Sequence, residues 1–354
     1  MTCYDPCFGG RTVEDMLLVA TDPAFDEHDT GPGHPERARR LKAVLDGLTA
    51  ADLTDAVKLL EPREATREEM ARVHPIGYLD ALEQFCTAGG GAIDPDTRVS
   101  QGSWRAGILA AGAGLAAVDA LRRGEGDAAF LAVRPPGHHA LATRPMGFCV
   151  INNIAVVAAN LAEQGERLLV VDWDAHHGNG TEAIFWDDPR VLYVSMHQYG
   201  RGFYPGTGAL TDVGGNGARG LNLNLPFPAG TTGDTYLRAL DEVVAPAVEA
   251  FAPTWVLVSA GYDGHRDDPL TELGLSAGDF ADVSRRVARF APSPGRLILF
   301  LEGGYDLDAL RESVGASLAA LVENPFRPEP ATSGGPGGSV VEAARKLREE
   351  LADT

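Results

Sequence analysis

The sequence predicts a single α/β domain of three layers, in which helices cover both faces of a parallel sheet. Short aliphatic runs with few polar interruptions recur along the chain, as expected of strands that are buried on both faces. Segments with helical spacing of apolar residues separate these runs, and strand–helix alternation favours a parallel sheet. No internal repeat is visible in the 354 residues, so one domain accounts for the fold.

Six aliphatic runs define the predicted strands, and most of them end at polar or glycine residues. The earliest predicted strand covers residues 16–21, and the others are residues 128–133, 168–172, 191–196, 255–259 and 297–301.

Helical spacing of apolar residues fills the intervals between these strands. The predicted helices are residues 35–48, 77–87, 104–123, 154–164, 235–251, 277–290 and 307–323. Residues 325–339 then hold four prolines and four glycines, and a charged helical segment follows at 340–352. We therefore expect a catalytic domain over residues 1–324, and a linker with a terminal helix over 325–354.

Charge and composition argue against several classes of ligand, location and covalent cross-link. Fifty acidic against thirty basic residues give a formal net charge of -20, which disfavours nucleic acid as the main ligand. The sequence contains neither an uninterrupted run of eighteen apolar residues nor a secretory signal, so we expect a cytoplasmic protein without membrane contact. The four cysteines, Cys3, Cys7, Cys86 and Cys149, are too scattered for a disulfide framework and are expected to be free thiols.

Polar clusters follow four of the predicted strands directly. They occupy residues 134–139, 172–180, 261–269 and 302–306. Ligands of open parallel sheets bind beyond the carboxyl ends of the strands, so these four loops should converge on one site.

The second and third clusters contain the elements of a catalytic metal site. Asp174 and His176 are two residues apart, a spacing that points both side chains the same way at a strand end. Asp263 from another strand end would complete three protein ligands with one position open, the form of a catalytic zinc site. Two aspartates neutralise the zinc charge, so such a site needs a protein base, which the adjacent His138 and His139 would supply.

Several long blocks of this sequence resemble the signature blocks of the zinc-dependent histone deacetylases. They are residues 134–140, 147–153, 172–181, 203–208, 259–263 and 302–306, with further likeness at 28–37 and 94–107. The resemblance extends over residues 26–324 and implies an arginase-like three-layer α/β/α domain with a central parallel sheet of about eight strands.

The resemblance also assigns roles residue by residue. It implies that Asp174, His176 and Asp263 bind zinc, that His138 and His139 are the tandem catalytic histidines, and that Tyr305 is the catalytic tyrosine. Asp172 and Asn179 match the residues that orient the two histidines. The amide at Asn179 is similar to the class II branch, whereas class I carries aspartate there. The implied reaction is hydrolysis of an amide, with His139 as general base and acid and Tyr305 as oxyanion stabiliser.

Further residues match cation and channel positions of the family. A monovalent cation, usually K⁺, is implied beside Asp172, Asp174, His176, Ser195 and Met196, and a second one beside Phe185, Asp188 and Val191. Phe148 and Tyr204 match the aromatic walls of the substrate channel, with Gly147 next to them. Many relatives carry phenylalanine in place of Tyr204, so this channel is expected to be slightly more polar.

The substrate class depends on the channel rim. Polyamine-specific relatives carry a glutamate seven residues after the third zinc ligand, where this chain has Leu270. We therefore expect an acylated lysine peptide or protein, or a small acylated amine, as substrate, with acetylpolyamine hydrolysis as the alternative. The oligomeric state, including a homo-oligomer, stays open.

Two other classes of function share this fold. A di-manganese ureohydrolase would need an aspartate at Gly178, and a non-catalytic binding module would usually have lost a metal ligand or the tyrosine. Neither fits this sequence well.

Overall fold

Eight parallel strands form the central sheet of the protein, in a computed structural model that describes residues 16–352. The strand order is β2-β1-β5-β10-β9-β6-β7-β8, and a separate antiparallel pair joins β3 to β4. The strands are β1 Leu17–Ala20, β2 Val57–Leu60, β3 Gly91–Ala92, β4 Arg98–Val99, β5 Ala128–Leu131, β6 Leu168–Asp172, β7 Val191–Gln198, β8 Asn222–Phe227, β9 Trp255–Ala260 and β10 Leu297–Leu301.

Helices flank this sheet on both sides, which confirms the predicted three-layer α/β class. They are α1 Arg39–Ala50, α2 Arg67–Met70, α3 Ile76–Thr87, α4 Ser103–Arg122, α5 Asn153–Glu163, α6 Asn179–Phe185, α7 Gly233–Ala239, α8 Ala245–Phe251, α9 Ala277–Ala288, α10 Leu307–Leu321 and α11 Gly338–Ala352. Helices α4 and α5 pack together and on the central strands, while α1 and α9 both pack on α10.

The aliphatic strands lie where the pattern predicted. Every residue of β1, β5, β6, β7, β9 and β10 is buried, because helices cover both faces of these strands. Helix α4 is long and apolar enough to span a membrane by length and composition alone, but 78% of its apolar window is buried inside the fold. Its composition therefore matches a core helix.

Several details differ from the prediction, including the short elements α2, β3, β4 and α6, which were not predicted. Strands β2 and β8 were not predicted, and both are edge strands of the sheet. The helix predicted at 35–48 begins only at Arg39, because Glu36 turns inward to a buried ion pair with Arg134. The helix predicted at 235–251 contains a π-helical turn at Leu240–Val244, just before Pro246, which has no N–H to donate to the preceding turn.

The segment after residue 324 packs against the domain. Thr332 donates its backbone N–H to Asp279 at 2.9 Å, and Glu329 lies 2.8 Å from Nε2 of His265. Helix α11 packs beside the edge strand β8, with Val341 fully buried.

The cysteine prediction is confirmed where it can be followed. Cys86 and Cys149 are free and buried, and Cys3 and Cys7 lie outside the described residues.

Candidate active site

The four polar clusters meet at the carboxyl ends of four adjacent strands. In the sheet, β5, β10, β9 and β6 are consecutive neighbours, although they are far apart in sequence. The residues that follow these strands include His138, Tyr305, Asp263 and Asp174, respectively. Parallel register brings the loops to the same edge of the sheet, as the sequence predicted.

Asp174, His176 and Asp263 form a compact set of possible metal ligands. Each offers one donor atom, and these atoms lie within 4.8 Å of one another. Nδ1 of His176 is 2.8 Å from Oδ2 of Asp263 and 3.3 Å from Oδ1 of Asp174. Two carboxylates and one imidazole suit zinc, and three protein ligands leave a coordination position for other molecules. The residues present therefore fit a catalytic zinc ion.

Backbone groups hold these ligands in place. The N–H of Ala175 donates to Oδ1 of Asp263 at 2.8 Å, and the N–H of Gly303 donates to Oδ2 of Asp174 at 2.7 Å. A Cβ at Gly303 would lie 2.4 Å from Oδ2 of Asp263, so only glycine allows the backbone to approach so closely. The backbone of the turn before Tyr305 therefore packs directly against the carboxylates of Asp174 and Asp263.

A second group of potential ligands consists of His138, Cys149 and Glu302, all of which are buried. The Glu302 carboxylate already accepts hydrogen bonds from the N–H of Gly137 at 2.7 Å and from Ser259 Oγ at 3.2 Å. Burial raises the pKa of the Cys149 thiol well above its usual value, which favours the neutral thiol over the thiolate that binds metals. This group supports the histidine loop and does not have the character of a metal centre.

Each tandem histidine is held by a different partner. Nδ1 of His138 lies 3.0 Å from Oδ2 of Asp172, and Nδ1 of His139 lies 2.8 Å from Oδ1 of Asn179. The Asn179 Nδ2 group donates to the sulfur of Met146 at 3.4 Å, so its oxygen faces the histidine. An amide oxygen can only accept, so Nδ1 of His139 carries the proton and its Nε2 keeps a lone pair.

These partners separate the pKa values of the two histidines. Burial opposes a charge on His138, but the carboxylates of Asp172, Asp174 and Glu302 outweigh it and raise the pKa of His138 to about 10. Burial and the neighbouring His138 hold the pKa of His139 well below its usual value. The pair therefore combines a cationic and a neutral imidazole with ring centroids 4.0 Å apart. A neutral imidazole can accept a proton.

Tyr305 closes the site from the β10 side. The guanidinium of Arg40 lies 5.1 Å from the centre of its ring, and Phe148 meets the ring edge-on with centroids 5.8 Å apart. Arg40 also donates from Nε to the carbonyl oxygen of Gly304 at 2.7 Å and from Nη2 to that of Glu302 at 2.5 Å. The turn that carries Tyr305 is thus anchored by a buried arginine.

The predicted channel residues lie next to the histidines. The ring of Tyr204 meets His139 edge-on at a centroid distance of 5.2 Å. Gly147 has a φ of +55°, and a Cβ there would lie 2.4 Å from the His139 ring, so glycine is required at this wall. Phe203 stacks on His176 with centroids 5.0 Å apart and an interplanar angle of 8°. These aromatic side chains therefore contact both His139 and His176.

The remaining residues predicted to bind monovalent cations or to line the channel rim lie outside the Asp174, His176 and Asp263 cluster. Ser195 lies beside Asp172 in the β6–β7 register, and the Met196 carbonyl oxygen accepts from Tyr236 Oη at 3.0 Å. Phe185, Asp188 and Val191 are linked by backbone hydrogen bonds in one turn, where the Asp188 carboxylate pairs with Arg190 at 2.7 Å. Leu270 is 39% exposed, on the loop that follows Asp263.

Sequence reasoning missed three residues that shape the site: Arg40, Phe203 and Glu302. Arg40 sits in a predicted helix with no sign that it reaches across the domain. Phe203 and Glu302 lie inside the signature blocks 203–208 and 302–306, so their position next to Tyr204 and Gly303 was the available signal.

The structure also argues against a ureohydrolase. A Cβ at Gly178 would lie 2.1 Å from Oδ2 of Asp172, so the aspartate that a di-manganese site needs there does not fit.

Comparisons with known proteins agree with this geometry. The model of the histone deacetylase domain matches residues 34–321. A probable deacetylase of Archaeoglobus fulgidus is 40% identical over 287 residues, which cover 80% of this chain and 79% of that protein. A histone deacetylase-like amidohydrolase of Pseudomonas aeruginosa is 41% identical over 275 residues, which cover 77% of this chain and 71% of that protein.

A solved structure matches the whole architecture. The crystal structure of the HDA15 HD domain has a TM-score of 0.86 at 33% sequence identity, covering 96% of this chain and 97% of that one. The likeness thus extends beyond the signature blocks to nearly every element of the fold.

Proposed function

The chain belongs to the histone deacetylase family and is a hydrolase, and from this premise we propose that it removes acyl groups from lysine side chains or related acylated amines. The observation that carries the proposal is the tandem-histidine pair beside Asp174, His176 and Asp263, with Tyr305 in the same site. This set supplies a base, a metal site and a hydroxyl donor, which together suit hydrolysis of an unactivated amide.

Asp174, His176 and Asp263 would hold the zinc ion, which when bound supplies Lewis-acid polarisation of the amide carbonyl and acidifies water. His139, neutral and oriented by Asn179, takes a proton from the attacking water and returns it to the leaving amine. His138, charged beside Asp172, stabilises the negative charge that develops. Tyr305 donates a hydrogen bond from its hydroxyl to the oxyanion that develops from the amide carbonyl, an interaction worth about 3 to 4 kcal/mol in comparable sites.

An acylated lysine is the preferred substrate class because the loop after Asp263 carries the apolar Leu270. A polyamine has a distal ammonium that gains from an anion at the rim, and a leucine offers none. Acetylpolyamine hydrolysis is the second candidate, favoured only by the net charge of -20, which attracts cationic substrates in general.

Monovalent cations are also part of the proposal. Asp172, Ser195 and the Met196 carbonyl would hold one K⁺ near the zinc ligands. At the turn of Phe185, Asp188 and Val191, backbone carbonyls would have to do most of the binding, because Arg190 neutralises the Asp188 carboxylate.

The test compares hydrolysis of an acetyl-lysine peptide, longer-acylated peptides and an acetylated polyamine by the zinc-loaded protein. We expect the highest kcat/KM for an acylated lysine. No hydrolysis of any of these amides by protein that contains about one zinc per chain would overturn the proposal.

A further inference from the structure

Asp268 is a buried carboxylate that contacts the catalytic turn from outside the metal cluster. It is only 6% exposed. Its Oδ2 accepts the backbone N–H of Tyr305 at 2.7 Å and that of Asp306 at 3.4 Å, and its Oδ1 accepts the N–H of Leu270 at 3.0 Å. One side chain thus joins the loop after Asp263 to the turn after β10.

The turn around Tyr305 is fixed at successive peptide groups. The N–H of Gly303 donates to Asp174, and the carbonyl of Gly304 accepts from Arg40. The same peptide group carries the N–H of Tyr305, which Asp268 accepts on its other side. The φ of Gly304 is +116°, a conformation that glycine adopts readily and that other residues rarely adopt. Asp268 therefore holds the backbone at the point where the catalytic side chain leaves it.

The position of the Tyr305 hydroxyl depends on this backbone. Arg40 lies over the face of the ring and Phe148 packs against it in a T-shaped contact, and neither contact is made to the hydroxyl. Because the hydroxyl is at the far end of the side chain, a small rotation at the Cα moves it by a much larger distance. An oxyanion donor loses most of its effect when it is displaced by about 1 Å.

We propose that Asp268 is a positioning residue that sets the Tyr305 hydroxyl in its catalytic position and links it to the turn carrying Leu270. The inference rests on the proposed function, in which Tyr305 meets the oxyanion. A carboxylate is required because both oxygens accept hydrogen bonds from backbone N–H groups. In Asp268→Asn the Nδ2 group would have to face either Leu270 N–H or Tyr305 N–H, so one of these hydrogen bonds is lost.

A double-mutant cycle tests this coupling. Asp268→Asn should lower kcat for an acetyl-lysine peptide by about tenfold or more and change KM by less than about threefold. In a Tyr305→Phe background the same substitution should lower kcat by less than about twofold, because the hydroxyl that it positions is already absent. Equal losses of kcat in the two backgrounds would overturn the proposal, since Asp268 would then act independently of Tyr305.

Asp279→Asn is the matched control. Asp279 is equally buried and accepts the N–H groups of Ser276 and Thr332, at 2.8 and 2.9 Å, away from the catalytic turn. It should lower the melting temperature as much as Asp268→Asn does and keep kcat within about twofold of wild type. Zinc content should be unchanged in both variants. If Asp279→Asn loses kcat to the same degree, the effect of Asp268 is general destabilisation and the proposal fails.

A crystal structure of Asp268→Asn provides a test that does not depend on activity. We expect the Tyr305 side chain to be displaced or to lose order, with Asp174, His176 and Asp263 unmoved. A Tyr305 ring in its wild-type place would overturn the proposal. Absence of amide hydrolysis by the wild-type enzyme would instead contradict the proposed function, and the crystal structure would still decide the role of Asp268.

Discussion

Nδ1 of His139 lies 2.8 Å from the amide oxygen of Asn179, whereas Nδ1 of its neighbour His138 lies 3.0 Å from the carboxylate of Asp172. An amide oxygen orients an imidazole without adding a negative charge, and a carboxylate does both. The two partners therefore make adjacent histidines chemically different, and the neutral one is suited to act as the base.

Asn179→Asp should move the acid limb of the pH–rate profile upward. The new anion beside Nδ1 should raise the pKa of His139, because it favours the charged imidazole. More of the base is then protonated at neutral pH, so kcat/KM falls there and recovers as the pH rises. Asn160→Asp, the same change in a buried residue of α5, is the control and should leave the profile in place. An unshifted acid limb in Asn179→Asp would exclude His139 as the base.

Asp263→Ala should abolish both zinc binding and activity. It removes one of three ligand side chains, and the two that remain lack the charge and geometry to retain the ion. Metal analysis of purified protein checks this, with Asp279→Ala as a control that should keep about one zinc per chain. Retention of zinc and activity by Asp263→Ala would remove Asp263 from the metal site.

Tyr305→Phe should keep the fold and the zinc but lower kcat by about 10² to 10³, because it deletes only the hydroxyl that meets the oxyanion. Tyr78→Phe is a suitable control. It deletes a hydroxyl that donates to the carbonyl oxygen of Val150 at 2.6 Å, and it should leave kcat unchanged. A kcat within about threefold of wild type would mean that Tyr305 has a structural role only.

Buried His74 should make folding stability dependent on pH. Burial lowers its pKa from 6.5 to about 4, so the folded protein keeps this imidazole neutral. The unfolded chain binds the proton near its ordinary pKa of about 6.5. Stability from His74 is thus fully present above that value, and it decreases as the pH falls towards the folded pKa.

The expected loss between about pH 7.5 and pH 5 is about 2 kcal/mol in the free energy of unfolding. Chemical unfolding of wild type and His74→Gln at both pH values measures it, because other titrating groups affect the two proteins alike. The difference between the two pH values should be smaller in the variant by that amount. Equal pH dependence in the two proteins would show that His74 does not titrate as its burial predicts.

The pattern of aliphatic runs could predict only strands that helices cover on both sides. The edge strands β2 and β8 follow other rules. In β2, Lys58 and Leu59 are exposed, and β8 alternates asparagine with leucine and contains Pro226, which an edge position tolerates. Neither resembles a continuous apolar run, so both were missed.

In the candidate site, too, some residues could be predicted from the sequence pattern and others could not. Residues in the polar clusters after the strands could be predicted, because position after a strand and residue type are both visible in the sequence. Arg40 in helix α1 and Asp268, which lies inside the polar cluster 261–269, act on the turn of Tyr305 through its backbone groups, and this role was not predicted for either residue. Nearly every residue has a backbone N–H and a carbonyl, so the sequence does not show which of them a distant side chain will contact. Such contacts can be identified only from the three-dimensional structure.

A single substitution at Leu270 can test the substrate preference directly. The resemblance implies that polyamine-specific relatives carry a glutamate at this position. The side chain of Leu270 is 39% exposed, and its N–H is held by Asp268, which also holds Tyr305. A carboxylate at this position would lie at the surface of a loop tied to the catalytic turn. There it could pair with the distal ammonium of a polyamine, and a partly desolvated pair can change discrimination by about 1 to 3 kcal/mol.

Leu270→Glu should therefore raise the ratio of kcat/KM for an acetylated polyamine over that for an acetyl-lysine peptide by about tenfold or more. The gain should shrink as salt screens the new pair, whereas in Leu270→Gln, the uncharged control, the ratio should stay near the wild-type value at every salt concentration. An unchanged ratio in Leu270→Glu at low ionic strength would mean that Leu270 does not line the rim. A wild-type enzyme that already prefers the polyamine would reverse the order of the two substrate classes, because an apolar rim would then not exclude a second charge.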